Sequence, residues 1–207
     1  MGVKLVSSSG GSVELNPPTT ASNSSLTVPA NNGTVITTAS SGQVIPKTAL
    51  PAGTVLQVVS VTKTDTFTTS STTFVDITGL SASITPTSAT SKILIFAQIA
   101  YSGNNATGAH FKIVGGNAAN YLGQAAGSRV QTVFGGWWNT NLTSTLISAP
   151  LNYLDSPSTA SSVTYSIQTR KTPSGPNPSQ INFSIDNADN SDIARGASTI
   201  TLMEIAA

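Results

Sequence analysis

The side chains that most often carry catalysis or bind metal ions are scarce in this chain of 207 residues. It contains one histidine, His110, and no cysteine. Zinc sites use several histidine, cysteine or carboxylate ligands, so a multi-histidine site is excluded within one chain. Three copies of His110 could still meet across a threefold axis. A lone histidine beside Phe111 is more simply a strand residue, and we predict no metal site.

The densest group of possible oxygen ligands lies in residues 186–192, which read DNADNSD. Calcium prefers carboxylate and amide oxygens gathered in one loop. The spacing fails the EF-hand rule, because Ala188 occupies the third position and the glycine of that loop is missing. Asn and Asp also favour turns, since their side chains hydrogen-bond to nearby backbone. An Asx-rich turn between Ile185 and Ile193 is therefore the simpler interpretation.

The other acidic residues are scattered along the sequence, at Glu14, Asp65, Asp76, Asp155 and Glu204. Glycoside hydrolysis, for example, needs two carboxyl groups held at a defined separation. Folding could assemble such a pair, but nothing in the spacing nominates one. We therefore predict a protein without enzymatic activity, with no catalytic residue and no cofactor.

Two adjacent tryptophans, Trp137 and Trp138, follow a pair of glycines. Neighbouring residues of a strand point to opposite faces, so at most one of the two rings enters the core. The other ring is expected at the surface, where tryptophan anchors protein interfaces or stacks on sugar rings. We favour an interface anchor, with a core position and glycan binding as the alternatives.

The composition departs from that of an average domain, because 8% of the residues are charged, against about a quarter on average. Hydrophobic residues make up 38% and alternate with small polar ones, which favours a folded β protein. A net charge of +1 argues against nucleic acid as a partner. The longest apolar stretch, residues 93–97, is far shorter than the ~20 residues of a membrane-spanning helix, so we expect no membrane insertion.

Residues 1–50 differ from the rest of the chain. They hold four prolines, a serine run at residues 7–9 and almost no large aromatic side chain. Such a segment buries too little apolar surface to fold alone. We therefore predict an extended attachment segment that is ordered by sister chains or by a larger particle. The apolar run after Lys4 is too short for a signal peptide, so we expect synthesis in a cytoplasm.

From residue 51 onward, alternating segments are separated by turn residues. These segments are 55–62, 72–77, 81–85, 92–101, 163–168, 181–186 and 198–205. Eight to ten short strands of this kind are typical of a sandwich or jelly roll. We predict an all-β, jelly-roll-like β-sandwich head over residues 51–207.

Two of these segments carry specific expectations. Residues 92–101 are apolar on both faces, so one face is expected to join the core and the other to be covered by another sheet or subunit. In residues 181–186 the alternation predicts that Ile181, Phe183 and Ile185 face inward. The intervening Asn182 is then expected to face outward.

Several short motifs are spread over nearly the whole chain. They are 11–18 (GSVELNPP), 25–30 (SLTVPA), 33–35 (GTV), 63–67 (KTDTF), 74–80 (FVDITGL), 84–86 (ITP), 91–94 (SKIL), 153–157 (YLDSP) and 195–205 (RGASTITLMEI). Together they resemble tail-fibre and other virion proteins of bacteriophages, especially aquatic ones. The resemblance implies a structural virion protein, usually a homotrimer, with an N-terminal attachment segment and a β-sandwich head.

On this interpretation the chain is a short tail fibre or fibre tip, made in the bacterial cytoplasm and carried on the virion. Residues 1–50 would bind other baseplate, tail or capsid proteins. The head would bind a host-surface glycan or protein through loops 101–108 and 170–179. The candidate contact residues are Tyr101, Asn104, Asn105, Trp137, Trp138, Arg170 and Lys171. The alternative is a capsid decoration or head-fibre protein that stabilises the shell without binding a receptor.

Overall fold

The computed structural model describes residues 3–6, 12–15, 50–102, 107–118, 121–138 and 143–207. The chain divides into two compact units, Met1–Ile45 and Pro46–Ala207. In the first unit, strands β1 (Val3–Val6) and β2 (Ser12–Leu15) pair antiparallel. Most of the predicted attachment segment, residues 1–50, lies outside the described residues.

The second unit is an antiparallel sandwich of two sheets. Its strands are β3 (Val55–Lys63), β4 (Phe67–Thr69), β5 (Val75–Ile84), β6 (Lys92–Ser102), β7 (Thr107–Val114), β8 (Phe134–Trp138), β9 (Leu146–Asp155), β10 (Val163–Lys171), β11 (Ser179–Ile181) and β12 (Ser198–Ile205). The narrow sheet has the order β5-β10-β7-β8, and the broad sheet has the order β3-β12-β6-β11-β4 with β9 also paired to β6. The predicted all-β, jelly-roll-like sandwich is confirmed. The described residues contain no helix of the length and hydropathy needed to cross a membrane.

Strand β6 lies at the centre of the broad sheet. Along one edge it pairs with β9, from Ile93 opposite Asp155 to Ser102 opposite Leu146. Along the other edge it pairs first with β12 and then, at Tyr101, with β11. Both edges of β6 are therefore hydrogen-bonded, and the strand holds both ends of the broad sheet in register.

The core lies between the two sheets, because alternate residues of each strand point inward. The fully buried aliphatic side chains of β6 and β12 face those of the narrow sheet. They include Ile93, Ile95, Ile99, Ile200 and Leu202 on one side and Leu80, Ile113 and Ile167 on the other. Full burial of each such side chain contributes about 1.5–3 kcal/mol, so this layer supplies most of the favourable free energy of the head.

The turn predicted at Gly79 is instead a bend within one strand. Segments 72–77 and 81–85 were expected to be two strands, but β5 runs without a break through Gly79. This glycine has a φ of +83°, which other residues rarely adopt. The pairing of β5 with β10 shifts register there, between Ser166 and Gln168. Four residues of β5, 77–80, therefore stand opposite the single residue Ile167 of β10, so three extra residues are accommodated in an irregular bulge and the strand continues.

The predicted alternation of residues 181–186 is wrong after the first residue. Strand β11 ends at Ile181, and Asn182 has a φ of +67°. This left-handed conformation turns the chain out of the strand. Asn182 and Ser184 are consequently fully buried, whereas Phe183 is only partly buried.

A carboxylate is buried at the far end of β12. Glu204 is 0% exposed, and its Oε1 accepts hydrogen bonds from the backbone N–H and the hydroxyl of Thr87, both at 2.6 Å. Its Oε2 accepts a hydrogen bond from Gln57 Nε2 at 2.6 Å. Burial alone would raise the pKa of Glu204, but the hydrogen bonds from Thr87, Ser91 and Gln57 outweigh it and hold the pKa below its ordinary value.

The lowered pKa of Glu204 predicts a loss of stability in acid. The ionised carboxylate stabilises the fold above the ordinary glutamate pKa of about 4.3, and this contribution is lost as the pH falls through the lower folded-state pKa. We expect Glu204→Gln to unfold about 2 kcal/mol more easily than the wild type at pH 7. Urea unfolding at a series of pH values should show the two free energies converging as the pH falls below the ordinary glutamate pKa of about 4.3. Parallel curves would contradict the assignment.

Candidate functional site at one end of the sandwich

Several strands begin or end at the same end of the sandwich. Strand β6 ends at Ser102, β7 begins at Thr107, β8 ends at Trp138 and β10 ends at Lys171. Antiparallel pairing brings the end of one strand beside the start of the next. We call these strand ends, together with residues 172–178, the loop end of the head.

The two loops predicted to contact a receptor adjoin at the loop end. The backbone N–H of Thr172 donates to the carbonyl of Gly108 at 3.0 Å. In return, the N–H of Gly108 donates to the Thr172 hydroxyl at 3.1 Å. A Cβ at Gly108 would fall inside contact distance of Thr172 Cγ2 and of the backbone carbonyl oxygen of Gly136, which cannot move aside, so the close approach of these segments requires glycine. Loops 101–108 and 170–179 therefore meet at this pair of hydrogen bonds.

The tryptophan pair lies on the strand next to these loops. In the pairing of β7 with β8, Trp137 is opposite Gly108 and Trp138 is opposite Thr107. Both backbone positions thus belong to the last two residue pairs of the loop end. The interface-anchor, core and glycan-binding interpretations of the two rings stay predictions.

Arg170 lies beside the only histidine, on the outer face of the narrow sheet. It pairs with His110 across β10 and β7, and its guanidinium lies 5.9 Å from the centre of the Phe74 ring. The ammonium group of Lys112 lies 4.6 Å from the same ring. Burial first, and then the charge of Arg170, lower the pKa of His110, so the positive charge here comes from Arg170 and Lys112. The prediction that His110 is a strand residue is confirmed.

In the cross-strand pair of Arg170 and His110, two side-chain nitrogen atoms have no hydrogen-bond partner within the described part of the chain. They are Arg170 Nε and His110 Nδ1, and both are buried. Buried polar groups of this kind are usually satisfied by water or by a ligand. The polar character of the outer face continues along β10, where Ser166 and Gln168 donate to Asp76 Oδ1 at 2.9 and 3.1 Å.

The remaining predicted contact residues have different positions. Lys171 Nζ donates to the carbonyl of Gly175 at 2.7 Å, so this side chain ties down the loop that follows it. Tyr101 is 1% exposed and lies in the core, with its ring centre 5.1 Å from that of Phe111. Its side chain is inward because it continues the buried face of β6, so it is not a surface contact. Asn104 and Asn105 lie outside the described residues.

Sequence reasoning did not identify Lys112 or Phe74 as part of this surface. The signal for Lys112 was its position two residues after His110, since alternate residues of a strand share a face. Phe74 precedes β5 and is brought to Arg170 only by the pairing of β5 with β10. That pairing is a long-range contact that the local pattern did not contain.

Residues 186–192 form the predicted Asx-rich turn. Asp186 Oδ1 accepts a hydrogen bond from the N–H of Ala188 at 3.3 Å, and Asn190 Oδ1 accepts one from the N–H of Asp192 at 2.6 Å. These side chains therefore bond to the backbone two residues on, as Asx turns do. Across the described ranges, no three His, Asp or Glu side chains are grouped so that they could hold a metal ion.

No protein-family model matches this sequence, and no curated protein matches it. Among solved structures, the Gx strain of infectious bursal disease virus is similar at 14% identity and a TM-score of 0.34, over 73% of this chain and 37% of that one. The VP2 subviral particle of the same virus gives 13% identity and a TM-score of 0.34, over 72% and 38%. A mutant VP2 protein of that virus gives 18% identity and a TM-score of 0.34, over 95% and 43%. The chain spans less than half of each of these structures. TM-scores this low do not support assigning the function of those proteins to this chain.

Proposed function

We propose that this chain is a non-enzymatic structural protein of a bacteriophage virion, a homotrimeric short tail fibre or fibre tip that adheres to the host surface. The observation that carries the proposal is that loops 101–108 and 170–179 meet at one end of the sandwich, with the backbone positions of Trp137, Trp138 and Arg170 on the adjoining strands. Binding residues are commonly placed on loops that a rigid scaffold positions. The loop end has that arrangement, with β7, β8 and β10 as the scaffold.

The outer face of the narrow sheet, next to the loop end, has a chemistry that suits a polar surface partner such as a glycan. The cations of Arg170 and Lys112 stand over the ring of Phe74, and such stacking fixes the position of otherwise flexible side chains. Preorganised side chains lose less conformational entropy when they bind a ligand. The resemblance of the whole chain to phage fibre proteins and the predicted attachment role of residues 1–50 support the same proposal.

Adhesion through the loop end can be tested by blocking it. Because the chain has no cysteine, Ser174→Cys introduces a single thiol on the exposed part of the loop after β10. Coupling a polyethylene glycol maleimide to this thiol should weaken binding of the purified protein to host cells at least about tenfold, since the polymer covers the contact surface. Binding is measured with fluorescently labelled protein in a sedimentation assay.

The matched control is Ala89→Cys, which places the same polymer on the exposed turn between β5 and β6. This turn lies at the opposite end of the strands, roughly 30 Å away for a strand the length of β10. The control should bind as well as the unmodified protein. Full binding by both conjugates would remove the receptor-binding role of the loop end. A high copy number over the capsid would then favour the decoration protein.

A further inference from the structure

The outer face of the broad sheet exposes large apolar side chains. Within the described residues, the large hydrophobic side chains classed as exposed are Val55 (48%), Val58 (55%), Phe96 (44%) and Leu154 (45%). Val58, Phe96 and Leu154 point away from the core by strand alternation, and Val55 shares their face because it pairs with Ile205 beyond the register shift in β3. Exposed apolar residues scattered over a surface need no explanation, whereas their concentration on one face indicates a binding surface.

Cross-strand pairing joins two of these side chains, Val58 and Leu154, into a continuous apolar row. Met203 of β12 pairs with Val58 on one side and with Leu94 on the other. Leu94 in turn pairs with Leu154 of β9. The row therefore crosses four neighbouring strands, with directly opposite side chains in contact distance. We call the outer surface of β3, β12, β6 and β9 the apolar face.

In the next row along the apolar face, Ser60 pairs with Thr201, Thr201 with Phe96 and Phe96 with the exposed Asn152. The hydroxyls of Ser60 and Thr201 hydrogen-bond to each other at 2.8 Å. Covering them would leave no unsatisfied hydroxyl, so these polar residues add little to the cost of removing the face from water.

Charge favours a second copy of the chain as the occupant of the apolar face. Among the described residues of its four strands, the one charged side chain that points outward is Lys92, at the start of β6. Two such faces can meet without repulsion between like charges. A charged partner would find its complement on the opposite side of the sandwich, where Lys112, Arg170 and Asp76 lie.

Shape favours the same occupant. Beside the protruding Phe96 ring, the apolar face has a depression of about 220 Å³. Phe96 itself forms part of the lining, together with Gln98, Pro150 and Thr199, which lie one residue pair further along β6. The projection and the depression thus lie next to each other on one face, and a symmetry-related copy can place its Phe96 in the depression of its neighbour.

The size of the apolar face sets the area that such an interface can bury. Four strands at a spacing of about 4.8 Å and about seven residues at 3.4 Å give a projected area of roughly 450 Å². Three copies around a threefold axis then cover about 1,350 Å² of this surface in total, or about 450 Å² for each pair of neighbours. Protruding side chains such as Phe96 increase the accessible area above this projection.

We propose that the apolar face is the surface through which copies of this chain associate. The inference rests on the proposed trimer and assigns its subunit contact, with Phe96 at the centre and the Val58–Met203–Leu94–Leu154 row alongside. Around the threefold axis, the Phe96 ring of each copy enters the depression of the next copy, and the loop ends stay free for adhesion. A second copy would then be the subunit that is expected, from the sequence, to cover the outward apolar face of β6.

The test is the oligomeric state of the purified full chain, measured by size-exclusion chromatography with light scattering. We expect the wild type to be a trimer and Phe96→Glu to be a monomer, since a buried carboxylate without a partner should weaken association at least about a hundredfold. Leu154→Glu provides a second variant on a neighbouring strand. The matched control is Thr164→Glu, an exposed residue on the outer face of the narrow sheet, which should stay trimeric.

The outcomes separate the two proposals. Circular dichroism and urea unfolding first establish that each variant is folded, which is expected because the substituted side chains are exposed. If both apolar-face variants remain trimers, the assignment of the contact is overturned while the trimer stands. If the wild type is a monomer at all concentrations, the trimer proposal fails and this inference fails with it. Dissociation of the Thr164→Glu control alone would move the contact to the narrow sheet.

Discussion

Replacing Asn182 by aspartate should lower the free energy of unfolding of the head by about 4 kcal/mol. The side-chain amide donates from Nδ2 to two backbone carbonyls, those of Lys63 and Asp65, both at 2.9 Å. A carboxylate has no donor to offer, so both carbonyls would lose their partner and face a buried negative charge instead. An uncompensated buried charge commonly costs about 3–5 kcal/mol.

The effect is expected to be large because Asn182 joins several strands. Its Oδ1 accepts a hydrogen bond from the Ser198 hydroxyl at 2.6 Å, and that hydroxyl accepts one from the N–H of Ala100 at 3.0 Å. The N–H of Asn182 donates to the carbonyl of Ala100 at 2.8 Å. One side chain thereby links the turn after β3 to the adjacent strands β6 and β12, and the loss of its amide disturbs all of them.

The matched control for this substitution is Asn187→Asp, in the exposed turn that follows. Asn187 has the same chemistry but is exposed, so its substitution should change the free energy of unfolding by less than about 0.5 kcal/mol. Urea denaturation followed by circular dichroism measures both variants. Equal effects of the two substitutions would show that the buried amide network does not hold these strands together.

Asn182 also shows where sequence reasoning stopped. The alternation of residues 181–186 correctly placed Ile181 inward but predicted Asn182 outward. Period-two patterns assume an unbroken strand, and the left-handed φ of +67° at Asn182 breaks it. The bonds that favour this conformation come from Lys63 and Asp65, more than a hundred residues earlier. No local window of sequence contains both sides of that interaction.

The strands with plain alternation were predicted well, because their side chains face one core and one outer surface. In β12, the inward Ile200 and Leu202 and the outward Met203 follow the predicted pattern. The apolar second face of β6 was also predicted, and its exposed Phe96 is the central residue of the apolar face. What sequence could not supply is which strands lie beside β6, since antiparallel partners are chosen by long-range packing.

For the candidate contact residues too, sequence predicted one part and long-range strand pairing supplied the other. Residue type alone nominated Arg170 and the two tryptophans, and the pairing of β7 with β8 and β10 then brought their positions to one end. Tyr101 was nominated by its place at the start of a loop, although its strand parity assigns it to the buried face of β6. For a residue at the end of a strand, the face of the strand on which it lies predicts its exposure better than its proximity to a loop does.

Gly115→Ala should destabilise the head by about 3–4 kcal/mol, because the turn after β7 passes against the backbone of β10. Gly115 has a φ of +116°, a conformation essentially reserved for glycine. A Cβ there would fall inside contact distance of the Thr164 carbonyl oxygen and 3.0 Å from Tyr165 Cα. Both neighbours are backbone atoms of a paired strand, so they cannot move aside as a flexible side chain would.

The control for this substitution separates the strained conformation from the steric clash. Gly127 also has a positive φ, +59°, but nothing lies within 4 Å of the position that its Cβ would take. Gly127→Ala should therefore cost only the about 1 kcal/mol of a left-handed alanine. If urea unfolding gives the same loss for both variants, the approach of the turn to β10 contributes nothing. A larger loss at Gly115 alone would mean that the turn is pressed against the strand that carries Arg170, and that the loop-end scaffold depends on a glycine at the opposite end of β7.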